Sequence, residues 1–431
     1  MIRMRVFVRS FGCSANLSDG EVIAGCLSSA GYKLTNSEGT ADLIIFNSCA
    51  VKGPTENRII NVIKNTPIDK LIIVAGCLPL INFERLSREV RFNAIVGPAA
   101  GENIVDIVNR VVNGENVIAL EDALIAQPRL NLPHIKTNPV ISVISISYGC
   151  LGSCAYCCVK HARGNLRSYK IPEILERIKF DLASGVREFW ITSQDVACYG
   201  KDVQTNLVSL LDELVALEGD FRIRVGMMTP NIVSPYVDEL IRVFRSEKIF
   251  KFLHLPVQSG DNGILKKMCR FYTVADFTKI VDAFRSVFPQ ITLSTDIICG
   301  FPGESIKAHQ NTLKLLEEVQ PDVVNISKFF ARPKTAAWDM RSIFIDRDII
   351  NHRTSEVAAF TKKIGFERNQ SWVNWTGDVF IDEKGKVPDS WIGRNFAYKP
   401  VVIKNSENLI GKTLHVKIIK AFSTHLLGII E

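Results

Sequence analysis

Three cysteines stand close together in Tyr148-Gly-Cys150-Leu-Gly-Ser-Cys154-Ala-Tyr-Cys157, a C-x3-C-x2-C run. Three thiolates satisfy three irons of a cubane cluster and leave the fourth iron open to chelate a small molecule. A structural zinc would want four protein ligands, usually from C-x2-C pairs. Cys158 and His161 lie near enough to complete such a set, so zinc is the competing reading. A second trio is dispersed: Cys13, Cys49 and Cys77 each follow the end of a predicted parallel strand within one to three residues. In a doubly wound sheet those ends share the edge where ligands bind, so the three read as a second three-thiolate site. Against this, buried cysteine is a common core residue. Cys26, Cys198, Cys269 and Cys299 are read in that way.

The elements that must position these thiols follow from apolar periodicity. The opening residues read as a strand, with strands over 5–11, 41–46, 71–75 and 90–96 and helices over 19–30, 55–64 and 102–112. That alternation predicts an N-terminal doubly wound parallel α/β sheet over 1–125. The stretch 126–139, with Pro128, Pro133 and Pro139, reads as a linker. From there six β/α units run to 369, with strands at 141–147, 187–191, 222–226, 252–255, 292–298 and 323–329. Six units are fewer than a closed eightfold barrel needs, so a central partial (β/α)6 barrel is expected, with its site at the C-terminal ends of the strands. After a helix over 351–368, residues 370–431 show short β-like runs at 378–382, 398–402 and 413–419 between glycines. That texture suits a C-terminal small all-β barrel that binds oligonucleotides.

Composition narrows the setting. The 431 residues are 47% hydrophobic and 23% charged, as in ordinary globular proteins. No apolar run reaches the ~18 residues of a membrane span, and the start lacks the features of a signal peptide. A cytoplasmic protein with no membrane partner is expected, and there eleven cysteines serve metals or catalysis rather than a disulfide framework. A net charge of +7 mildly favours a polyanionic partner.

The Cys150 run, with aromatic Tyr156 before its last cysteine, resembles the radical S-adenosylmethionine superfamily. With both trios in place, essentially the whole chain resembles the methylthiotransferases, two-cluster radical enzymes. The resemblance rests on Gly12-Cys13-Ser14, Asn47-Ser48-Cys49-Ala50-Val51-Lys52 and Ala75-Gly76-Cys77-Leu78-Pro79, on four barrel motifs, and on a C-terminal TRAM-like module. The barrel motifs are Thr192-Ser193-Gln194-Asp195, Arg224 to Pro230, His254 to Gly260, and Thr295-Asp296 to Glu304. Residues 157–169 and Ser18-Asp19-Gly20-Glu21 look most like the archaeal and eukaryotic branch acting on N6-threonylcarbamoyladenosine. Ser14-Ala15-Asn16 and the extra Cys158 depart from the pattern.

The resemblance implies two 4Fe-4S clusters, on Cys13/Cys49/Cys77 and Cys150/Cys154/Cys157, and S-adenosyl-L-methionine as cofactors. One S-adenosylmethionine would methylate a sulfur carried at the first cluster. A second, split at the other, would generate the radical that activates C2 of adenine for attachment of that methylthio group. Tyr156, Gln194, Asp195, Gln258 and Asp296 would contact the cofactor, and Gly300 would permit close approach of its adenine. Lys160, His161 or Arg163 would read the threonyl carboxylate, or else form the scaffold of the cluster loop. The implied partners are the tRNA anticodon loop at position 37, a sulfur donor and an electron donor. Lys384, Lys386, Arg394, Lys399, Lys412, Lys417 and Lys420 would hold the RNA backbone, or simply face solvent. The same chemistry on isopentenyladenosine or a ribosomal protein, and a zinc-stabilised RNA-binding protein without redox activity, are the alternatives.

Overall fold

Runs rich in Val and Ile, each followed by a helical stretch, pair in parallel because every return passes through a crossover. The computed structural model describes residues 4–51 and 53–431 and shows this outcome twice. Residues 1–3 of the opening run and Lys52 of the Cys49 motif lie outside the described residues.

The first unit is a sheet in the order Lys33–Leu34, Arg5–Ser10, Leu43–Ser48, Leu71–Gly76, Ala94–Val96 and Val117–Ala119. All neighbours are parallel. Ile23, Leu27, Ile104 and Val108 cover one face with Leu43, Ile45 and Ile73. Ile59, Ile60 and Ile63 cover the other with Ile44, Phe46, Ile72 and Val74. Burial of both faces is why these strands read as continuous apolar runs. The two outer strands escaped the sequence reading because two or three residues carry no period.

The second unit has strands Ile141–Ser145, Glu188–Thr192, Arg222–Val225, Phe252–His254, Thr292–Cys299 and Val323–Lys328. They form two three-stranded parallel sheets in chain order, joined through a parallel bridge between Ile223 and Ile249. The barrel does not close, so each outer strand needs cover. Helix Ser14–Ser29 lies along Ile141–Ser145, where the Ser18 hydroxyl donates to the Val143 carbonyl at 3.3 Å. Helix Arg347–Gln370 packs on Val323–Lys328. The proline-rich connection is pinned rather than loose. The Thr137 amide and hydroxyl both donate to the Glu21 carboxylate, at 2.7 and 2.8 Å.

The third unit is a closed barrel in the order Thr376–Lys384, Ser390–Arg394, Pro400–Lys404, Leu426–Ile430 and Thr413–Ala421. Its core holds Val379, Ile381, Val401, Ile403, Val416 and Leu426. The strands Ser390–Arg394 and Leu426–Ile430 were not expected from sequence. This barrel docks under the N-terminal ends of the central strands. The Lys251 amide donates to the Phe396 carbonyl at 2.8 Å, and Lys399 Nζ reaches Asp322 at 2.7 Å. Among the described residues no helix is long and apolar enough to cross a membrane.

Candidate iron–sulfur site

Each N-terminal cysteine begins the turn after a parallel strand. Cys13 follows Arg5–Ser10 and stands at the N-terminus of helix Ser14–Ser29. Cys49 follows Leu43–Ser48, and Cys77 follows Leu71–Gly76. The three turns are stitched together. Asn16 Nδ2 donates to Asn47 Oδ1 at 2.7 Å, Asn47 Nδ2 to the Asn16 carbonyl at 2.6 Å, and the Cys77 amide to the Ser48 carbonyl at 3.1 Å. Gly76 has φ +97°, and a Cβ there would lie 2.3 Å from the Ser48 oxygen. A larger residue would therefore push Cys77 away from Cys49. The departure noted at Ser14-Ala15-Asn16 thus has a use, since Asn16 is the buried link and Ser14 bonds Thr192 of the barrel at 2.8 Å.

The second trio sits on the loop beyond Ile141–Ser145. Gly149, with φ +75°, turns the chain where a Cβ would strike the Asn165 carbonyl at 1.9 Å. The Cys150 and Cys154 thiols flank Gly152, and the Gly152 amide donates to Cys150 Sγ at 3.2 Å. Arg270 Nη1 donates to Cys154 Sγ at 3.1 Å. Arg270 is buried, its Nε bonded to Tyr272. Sequence reasoning missed it, because a single arginine in a barrel loop has no periodicity to mark it.

One strap ties the two trios together. Beyond the last barrel strand, Phe330 seats on Gly53, Arg332 pairs with buried Glu56, and Lys334 Nζ donates to the Leu80 carbonyl at 3.0 Å. The Ala337 amide then reaches the Ala155 carbonyl at 2.8 Å, between the barrel cysteines. Cys158 is buried, its thiol donating to the Ala50 carbonyl beside Cys49 at 3.4 Å. The extra cysteine is therefore part of the seam between the two loops.

Burial raises the thiols, Cys77 to about 12 and Cys150 to about 11, and pushes Cys49 and Cys157 upward as well. Within each trio the thiols stand close enough that charge on one raises another: Cys13 and Cys49 act on Cys77, Cys150 and Cys154 on Cys157. Among the described residues, no three Cys, His, Asp or Glu side chains converge tightly enough to hold one metal ion. The donor chemistry, three thiols per site, fits a cluster.

Residues 5–97 match a family model described as Uncharacterized protein family UPF0004, residues 144–316 match the Radical SAM superfamily, and residues 371–430 match the TRAM domain. A probable threonylcarbamoyladenosine tRNA methylthiotransferase of Pyrococcus horikoshii is 38% identical over 99% of this chain and 99% of its own. The Homo sapiens threonylcarbamoyladenosine tRNA methylthiotransferase is 36% identical over 96% of this chain and 72% of its own. The chain belongs to the threonylcarbamoyladenosine tRNA methylthiotransferase family. Among solved structures, the radical S-adenosylmethionine methyltransferase TsrM of Kitasatospora setae superposes with a TM-score of 0.56 at 14% identity, covering 78% of this chain and 75% of that one. At that identity the likeness concerns the fold alone. As a radical S-adenosylmethionine methylthiotransferase, the family member uses an iron–sulfur cluster and S-adenosylmethionine.

The remaining expected contacts of this methylthiotransferase divide. Gln194 Oε1 is buried without a partner, and half-buried Tyr156 packs beside Ala155 and Met268. Gln258 is buried, with φ +72°, its amide bonded to the Asp296 carbonyl at 2.8 Å. The Asp296 carboxylate accepts from His254 at 3.0 Å and Asn325 at 2.8 Å. Asp195 is occupied by the protein, accepting from the Ala197 and Thr229 amides at 3.1 and 3.2 Å, so it caps a turn. Gly300 is corrected. Its missing Cβ makes room for Ile350, whose Cγ1 would lie 2.3 Å away, and not for an adenine. Arg163 is corrected too: it is 2% exposed and paired with Asp19 at 2.5 Å, which removes it from an incoming carboxylate. His161 is exposed and Lys160 half-buried. In the β barrel, Lys384, Lys386, Lys412 and Lys420 are exposed and Lys417 partly so, but Arg394 and Lys399 are spent on Asp382 and Asp322.

Proposed function

We propose that this protein converts N6-threonylcarbamoyladenosine at position 37 of a tRNA anticodon loop to its 2-methylthio derivative. The observation that carries the reading is the bond from the Cys158 thiol to the Ala50 carbonyl, one residue beyond Cys157 and Cys49, which joins the loops of the two three-thiol sites. Near-full-length relatives named for that substrate support it. In this reading Cys150, Cys154 and Cys157 hold one 4Fe-4S cluster, and Cys13, Cys49 and Cys77 hold a second. Bound there, the clusters supply reductive cleavage of S-adenosylmethionine and the site that carries the sulfur.

The chain's own groups bind and orient. The unpartnered Gln194 oxygen accepts from the methionine ammonium, while Tyr156, Gln258 and Asp296 line the ribose side. Arg270 holds the Cys154 sulfur in place. Lys160, near enough to Cys150 to favour its thiolate, and exposed His161 supply the positive charge for the threonyl carboxylate. The exposed lysines of the β barrel meet phosphates. Sulfur and electrons come from outside donors.

Anaerobic protein, reconstituted with iron and sulfide and supplied with reductant and S-adenosylmethionine, is incubated with tRNA carrying threonylcarbamoyladenosine. The expected result is about eight irons per chain, two cubanes' worth, and a nucleoside heavier by one methylthio substitution in mass spectrometry. Turnover of isopentenyladenosine tRNA instead would overturn the substrate. Bound zinc in a colourless protein would overturn the chemistry. In K160A, loss of discrimination between the two modified adenosines is expected; full discrimination removes Lys160 as the reader.

A further inference from the structure

The N-terminal thiol site is not built by its own domain alone. Two buried arginines face it, and both come from the central barrel. Arg163 ends the short helix Val159–Arg163 of the cluster loop, and Arg332 belongs to the strap beyond the last strand. Each is 2% exposed, and each is held by an N-domain carboxylate, Arg163 by Asp19 and Arg332 by Glu56. Neither guanidinium is used up. Arg163 Nη1 and Arg332 Nε and Nη2 are buried with no hydrogen-bond partner. Arg332 bonds the Cys158 thiol, which itself donates to the Ala50 carbonyl beside Cys49 at 3.4 Å, and Arg163 lies five residues beyond Cys158 and acts on the charge of Cys49 and Cys77. A buried N–H without an acceptor is destabilising, so these donors call for acceptors.

We propose that the free N–H groups of Arg163 and Arg332 donate to sulfur atoms of the cluster on Cys13, Cys49 and Cys77, so that the barrel completes and poises a cluster whose ligands all lie in the other domain. This rests on the reading of that trio as a cluster site. Hydrogen bonds and positive charge at cluster sulfurs stabilise the reduced, more negative state and raise its potential. The two arginines also make cluster retention depend on docking of the two domains. A guanidinium keeps its charge at every working pH, so the effect is constant across the range in which the enzyme operates.

The test uses the full chain with C150A, C154A and C157A, so that only the N-terminal cluster reports. Each arginine is replaced together with its carboxylate, R163M with D19N and R332M with E56Q, to avoid stranding a buried charge. Iron content and a potentiometric titration followed by electron paramagnetic resonance are read. At a fixed applied potential near the parent midpoint, the ratio of reduced to oxidised cluster should fall at least tenfold, about 59 mV for one electron. R163K and R332K, which keep the charge and lose the planar fork, should fall between. A folded variant that sheds its iron shows the same donors acting in retention. An unchanged midpoint at full iron content, in the double replacements or in the lysine variants should a double replacement not fold, overturns the proposal and leaves those N–H groups to water. Absence of iron in the C150A/C154A/C157A parent would instead overturn the cluster reading itself.

Discussion

The two ends of the central barrel spend their buried charge in opposite ways. At the C-terminal ends of the strands, arginines 163 and 332 keep unpartnered donors beside thiols that burial holds protonated. At the N-terminal ends most of the buried charge is paired, although Glu188 Oε2 and Asp382 Oδ1 have no hydrogen-bond partner. Lys399 is shared by Asp322 and Asn369 at 2.7 and 2.8 Å, Arg394 grips Asp382 at 2.8 Å, and the Tyr398 hydroxyl donates to Glu188 at 3.0 Å. One end leaves buried donors unsatisfied beside thiols, as the proposed cluster site requires. The other is a largely paired joint that fixes the TRAM domain to the central barrel. The same residue types thus do chemistry or carpentry according to whether their partners are present.

The largest effect should come from the incomplete end. On the proposed reading Cys154→Ala removes one of three cluster ligands as well as the acceptor of Arg270, and 5′-deoxyadenosine release from S-adenosylmethionine should drop to the level of a no-enzyme control. Chromatographic quantitation checks this, and release at a tenth of the normal rate or more would break the assignment. The expected fall in turnover needs no loss of fold, because Cys154 is only half-buried and lies on a loop.

Damage to the finished joint should read as stability. Asp322→Ala leaves Lys399 buried, and Arg368 partly exposed, around a missing carboxylate, and removal of one partner from a buried ion pair costs about 3–5 kcal/mol. Urea unfolding should show that loss, while iron content in native buffer stays unchanged. If iron fell in parallel with stability, the two ends would not be the separate devices described above.

A gentler probe of the joint is pH. Burial and the neighbouring Asp382 carboxylate push Glu188 well above its usual range. The folded state therefore favours the neutral acid. Its contribution is full below the unfolded carboxylate pKa of about 4.3 and is lost as pH rises through the raised value, since the native state binds more protons than the unfolded one. Melting temperature should decline from pH 5 to pH 8, and Glu188→Gln should flatten that decline. An equal slope in both proteins would mean that Glu188 is ionised in the fold.

Much of this contrast was legible in the sequence, and what was hidden has a physical reason. Cys150, Cys154 and Cys157 are local in sequence, so spacing alone placed them on one loop. Cys13, Cys49 and Cys77 needed the further step that parallel strand ends share an edge, and apolar runs long enough to read as strands supplied it. Arg163 was read as a substrate contact and Arg332 was not singled out, because their partners Asp19 and Glu56 are contributed by a different domain. Gly300 was misread for a related reason: a glycine signals close approach but not by what, and here Ile350 from a later helix fills the space. The strands Ser390–Arg394 and Leu426–Ile430 were missed because barrel closure, rather than local pattern, makes them strands.

The smallest effect separates the two kinds of lysine within one β barrel. Lys384, Lys386, Lys412 and Lys420 reach solvent, whereas Lys399 is buried in the joint. If the exposed set meets tRNA phosphates, each Lys→Ala change should weaken binding by a similar factor for any tRNA sequence. It should also reduce the slope of log affinity against log salt by about 0.7 to 0.9 for each phosphate left without its lysine. Lys399→Met should leave that slope alone and lower stability instead, because its charge is neutralised by Asp322 before any RNA arrives. Filter binding across a salt series tells the two apart. A salt slope that changed with Lys399 and not with the exposed four would place the RNA against the barrel joint, and would reverse which end of the molecule is open to its substrate.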